Sequence, residues 1–198
     1  MRLPRLWLAG ALLLVAVFLL TGLFAQPPFD AVGPVATAVF VPLWLTIAVT
    51  NAAVGVYSAG YRPQEEAPVL LAVFALPAAV AGVGWWLVSL EPIETARTPV
   101  VLLAGVALWL ALALLGDLLL PGATRATALG FAAAVFLPVW LALMVVNLLI
   151  GVLAADHGVG EELGFLLLNV LVPGVVAGGA VALSARRSAE PRPNESSA

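Results

Sequence analysis

AVFVPLWLTIAVTNAAVGVYSAGYRPQEE, residues 38–66, returns 96 positions later as AVFLPVWLALMVVNLLIGVLAADHGVGEE, residues 134–162. Aligned without a gap over residues 38–82 and 134–178, the two stretches agree at 19 of 45 positions. The agreement includes letters that an Ala/Val/Leu-rich composition does not repeat by chance: Pro42/Pro138, Trp44/Trp140, Asn51/Asn147, Gly55/Gly151, Ala59/Ala155, Glu65/Glu161, Glu66/Glu162, Pro77/Pro173 and Gly82/Gly178. Upstream, Pro4/Pro99 and the tripeptide LAG at 8–10 and 103–105 match at an offset of 95. The chain is therefore read as a duplication whose unit is three apolar segments long.

Hydrophobic residues fill 63% of the 198 positions and charged residues 10%, with a mean hydropathy of +1.13. A water-soluble globular chain is excluded, and the lipid bilayer is the expected solvent. A spanning helix needs about 20 apolar residues, and six stretches meet that length, near 6–25, 35–58, 68–88, 100–120, 128–154 and 163–183. The first is too long for the apolar core of a signal peptide, about 7–15 residues, and is kept as a span. The fold expected is all-α: a polytopic membrane bundle of six transmembrane helices, arranged as two inverted three-helix repeats. Residues 1–90 form the first repeat, 91–184 the second, and the polar, Pro-containing residues 185–198 a disordered cytoplasmic tail.

Inversion follows from the odd count, because a unit of three spans that begins on one side leaves the next unit to begin on the other. The basic residues agree: with alternating spans, Arg2, Arg5, Arg62, Arg125, Arg186, Arg187 and Arg192 share one side and only Arg97 takes the other. The positive-inside rule then places both termini in the cytoplasm and the chain in the cell membrane. Arg62 is replaced by Gly158 at the equivalent turn of the second unit, as a loop on the opposite side requires.

Much chemistry is removed by composition. There is no Cys, one His, and all basic residues are Arg, so thiolate chemistry, a His-rich metal site, a phosphate-loop lysine and a Schiff base are excluded. No metal and no cofactor is expected, and a net charge of −3 argues against nucleic acid as a partner. The remaining candidates lie inside the repeat. Trp44, Asn51, Gly55 and Ala59 are spaced i, i+7, i+11 and i+15, within roughly an 80° stripe of one helix, as are Trp140, Asn147, Gly151 and Ala155. The stripes are expected to be packing seams, or, with Asn51 and Asn147 as polar groups, to line a transport or binding site near the midplane. The prolines within spans point the same way, through bent helices. Glu65 and Glu66 are expected to be interface caps beside Arg62. Glu161 and Glu162 have no such Arg and share a face with Asn169, whose counterpart is Val73, so function is expected on the second unit. Asp117 is a further candidate, reaching the interface or pairing with Arg125.

EELGFLLLNVLVP and EEAPVLLAVFALP resemble the Glu-Glu segment of membrane lycopene cyclases and, more distantly, CAAX-protease-like membrane proteins. Gly160 stands where the cyclase pattern has Pro, Phe165 lacks its second aromatic partner, and the Arg and helical His residues of the protease-like pattern are missing, so no catalytic residue is carried over. As a whole the chain resembles small haloarchaeal-type multi-pass membrane proteins. Three functional classes follow: a small inverted-repeat transporter or channel-like protein acting on a small solute or ion, a non-catalytic membrane scaffold or assembly subunit joined to its own copies or a membrane partner, and a lipid-modifying enzyme.

Overall fold

A computed structural model describes residues 2–24, 31–88, 97–153 and 158–189, and all regular structure among them is helical. The helices are α1 (Arg2–Phe24), α2 (Val32–Ala59), α3 (Pro63–Val88), α4 (Arg97–Leu119), α5 (Arg125–Leu153) and α6 (Val159–Ala189). Each is, by length and composition, long and apolar enough to cross a membrane.

Helix ends run past the apolar stretches because local chemistry extends them. Pro63 opens α3 at a position where its missing N–H costs nothing, and Glu65 Oε2 accepts from the backbone N–H of Arg62 at 3.1 Å, the acidic half of a capping box. Thr124 caps α5, accepting from the N–H of Thr127 at 3.2 Å. α6 continues through Ala189, into the segment expected to be a disordered tail, with Arg186 and Arg187 in its last turn; basic side chains there complement the helix dipole. Residues 190–198 lie outside the described residues.

α1 and α4 form the centre. In α4, 56% of the apolar window is buried, against 17% in α3 and in α6. The most extensive contact in the fold is between α1 and α4, whose buried Ala9, Ala16, Ala104, Ala107 and Ala111 are small enough for close approach. The two helices run antiparallel, since Arg2 donates to the carbonyl of Leu118 at 3.3 Å and Arg5 meets Asp117 at 3.3 Å. Outside them, α2 pairs with α3 and α5 with α6.

The repeated Trp, Pro and Gly belong to one device. A proline has no N–H to give to the carbonyl four residues back, so Pro77 leaves the Val73 carbonyl free and Pro173 that of Asn169. The Trp44 indole N–H donates to the Val73 carbonyl at 3.0 Å, and that of Trp140 to the Asn169 carbonyl at 2.8 Å. Each indole lies against a glycine of the central pair. A methyl on Gly10 would stand 2.8 Å from Cζ2 of Trp44 and 3.0 Å from Cγ of Pro77; on Gly105 the values are 2.8 Å to Trp140 and 3.1 Å to Pro173. Phe40 stacks on Trp44 and Phe136 on Trp140, with centroids 6.1 and 5.7 Å apart. The helices pass through these prolines without a break.

Replacing the indole by Trp44→Phe leaves a buried carbonyl without a donor and should destabilise the fold by about 1–3 kcal/mol in detergent unfolding. Adding Pro77→Ala restores a backbone N–H to Val73, so the double variant should lose less than the sum of the single losses, with a coupling of at least about 0.5 kcal/mol. Strict additivity would refute the exchange of one donor for the other.

Candidate functional site

The α2–α3 turn brings the repeated polar residues together. Gly60 adopts φ 74°, a left-handed conformation that a residue without Cβ reaches at no cost, and the N–H of Tyr61 returns to the carbonyl of Gly55 at 3.2 Å. With the capping box fixing the first turn of α3, Glu65 is held on the turn. Glu66, about 100° further around the helix, faces α2. Its carboxyl group rests on Gly55, where a Cβ would collide with Oε1. Glu66 is only 8% exposed.

Asn51 lies one helical turn from Gly55 on the same face of α2 and is 1% exposed. Asn51 Oδ1 and Glu66 Oε2 are both shielded from solvent and find no hydrogen-bond partner among the described residues. Both residues line a cavity of about 470 Å³, walled also by Arg2, Leu6, Tyr61 and Val69. Leaving a buried polar atom without a partner costs about 1–3 kcal/mol, and two residues that each carry such an atom line this one cavity.

The second unit repeats the arrangement. The carboxyl of Glu162 rests on Gly151 as Glu66 rests on Gly55, and Glu162 and Asn147 are buried at 1% and 4% exposure. Asn169, 2% exposed, gives its backbone carbonyl to Trp140 while its Oδ1 is without a partner among the described residues.

Several expectations change. Glu66 is a buried polar group matching Glu162, not an exposed interface cap, so both units carry a buried Asn and Glu, and the second alone adds the buried Asn169 where the first has Val73. Only Glu65 caps, because adjacent helical positions face different ways. The carboxyls sit at the first turns of α3 and α6, and Asn51 about two turns inside the end of α2, so the polar groups lie toward the hairpin turns. Ala59 does not continue the packing stripe: it is the last residue of α2 and is exposed, at the angular margin of the stripe where the chain turns away. Asp117 pairs with Arg5 of α1, not with Arg125, and both side chains are more than half exposed. This is a surface ion pair of small energetic weight. Ala155, Asp156 and His157 lie outside the described residues, as does the side chain of Glu161. Tyr61 and Arg2 belong to the pocket without any signal in the repeat, Arg2 arriving from a helix distant in sequence.

Comparison of the chain with protein-family models, with curated proteins and with solved structures returns no match.

Gly55→Ala should keep the fold, since helix propensity gains up to about 1 kcal/mol and the displaced group is the end of a flexible side chain. The carboxyl must nevertheless leave its seat. Modification of Glu66 by a water-soluble carbodiimide, mapped by mass spectrometry, should rise several-fold; an unchanged rate would show that Gly55 does not hold it. Asp117→Asn, in contrast, should change unfolding free energy by less than about 1 kcal/mol.

Proposed function

We propose that this chain is a cell-membrane protein of two inverted three-helix units, termini cytoplasmic, that binds and moves a small polar solute or ion. Inversion is supported by the antiparallel contact of α1 with α4, the two helices that correspond in the repeat. It is supported also by the same Trp–Pro–Gly and Gly–Glu arrangements recurring in both units.

The observation that carries transport is that Asn51 and Glu66, each with a buried oxygen unpartnered among the described residues, line one cavity. A polar site of this kind inside an apolar bundle is costly and is a default pointer to a solute or ion path. In an inverted pair, the related residues Asn147 and Glu162 would form the counterpart toward the opposite face. Alternating access would then be a rocking of one unit against the other along α1 and α4. A scaffold is the second reading, favoured by the solid packing around Trp44 and Trp140, which are 0% and 1% exposed.

Single Cys labels decide the topology. Arg62→Cys and Arg125→Cys should be reached from the cytoplasmic side and Gly158→Cys from the opposite one; labelling of all three from one side would remove the inversion. Function is tested in proteoliposomes loaded with a panel of small solutes and ions. Asn51→Leu and Glu66→Gln should lower the flux of the transported solute at least about tenfold, with unfolding shifted by no more than about 2 kcal/mol. Unaltered flux with lowered stability would favour the scaffold.

A further inference from the structure

The pocket bounded by α1, α2 and α3 divides by chemistry into an acceptor end and a hydrocarbon wall. Asn51 Oδ1 and Glu66 Oε2 are acceptors, shielded from solvent and without a donor among the described residues, while Leu3, Leu6 and Val69 supply apolar lining. An occupant that satisfies the acceptor end must bring hydrogen-bond donors, and a carboxyl group placed in an apolar bundle is best offset by a positive charge. Arg2 lines the same pocket but does not supply that charge: it makes no ion pair with Glu66, and its Nη2 is directed to the Leu118 carbonyl at 3.3 Å.

A hard metal cation is a poor match, because such ions collect about six to eight oxygens and two unpartnered ones are offered here. At about 470 Å³ the cavity also falls in the range of about 300–1,000 Å³ typical of sites for organic molecules. A protonated primary amine carries three donors on a compact head, enough for both oxygens, and its carbon substituent would lie on the Leu3, Leu6 and Val69 wall. We infer that the pocket binds a primary ammonium group at Asn51 and Glu66, whose shielded oxygens a small side-chain rotation turns to it, borne by a small amine or by an ethanolamine lipid headgroup. The inference rests on the solute-site reading above and names the chemical class of that solute.

Purified full-length protein in detergent is titrated with n-butylammonium, with 1-butanol as the neutral match and with Na⁺ and K⁺, following thermal unfolding and heat of binding. Butylammonium should bind saturably and raise the unfolding temperature, while butanol and the alkali cations should not. Glu66→Gln should weaken binding by about ten- to a hundredfold, the weight of a charge-assisted hydrogen bond. Should that variant not fold, the discrimination of ammonium from alcohol by the wild-type protein and the effect of Asn51→Leu decide the matter. Equal response to butanol, alkali-cation binding as tight as that of the amine, or full affinity in both variants would overturn the assignment. In nanodiscs, loss of butylammonium binding when phosphatidylethanolamine joins phosphatidylcholine identifies the headgroup as the source, and retained binding identifies a free amine. Ammonium binding without flux of any solute would leave this site standing and remove transport. Flux without ammonium binding would remove this inference alone.

Discussion

A tryptophan N–H placed on a carbonyl that proline has left without its helical donor is the contact from which the rest of this fold follows. In hydrocarbon there is no water to take up such a carbonyl, so a neighbouring helix must supply the donor. An indole can reach only if the backbone behind it carries no side chain, and Gly10 and Gly105 meet that need. Three helices are thereby fixed to one another at one level, and the level is occupied twice. The repeat is thus a three-body contact, which explains why single residues from three different spans keep their spacing in both copies.

Seating the indole also orients α2. With Trp44 turned toward α1 and α3, the residues seven and eleven positions along the same face, Asn51 and Gly55, must face inward as well. The polar pocket is consequently a geometric sequel of an apolar contact. Glu66 enters it because the short turn after Gly60 folds the first turn of α3 back on α2. The halves share this skeleton and differ around it: Trp7 donates to the Ala72 carbonyl in the first, whereas Trp109 meets Phe136 edge-on in the second.

Six spans and the inward stripe were legible in sequence because both are carried by local quantities, apolar length and helical period. Span ends were not, since hydropathy weighs lipid solubility whereas capping by Glu65 and Thr124 acts on polar residues. The stripe was overextended at Ala59, where angular drift and a helix end coincide. Two adjacent glutamates look alike as letters, and only the capping box separates Glu65 from Glu66. The pairing of Asp117 with Arg5 depends on α1 meeting α4, a contact between segments far apart in the chain that no local pattern encodes.

The order of the elements along the chain has a bearing on biogenesis. In each unit the helix that holds the indole comes before the helix that holds the proline: α2 precedes α3, and α5 precedes α6. In synthesis from the N-terminus the helix with the donor is made before the segment with the uncovered carbonyl. A later helix entering lipid would then find its donor already made and need not wait half-satisfied. Reversed order would expose that carbonyl to the acyl chains at the most vulnerable stage of assembly, and in neither unit does the chain run that way.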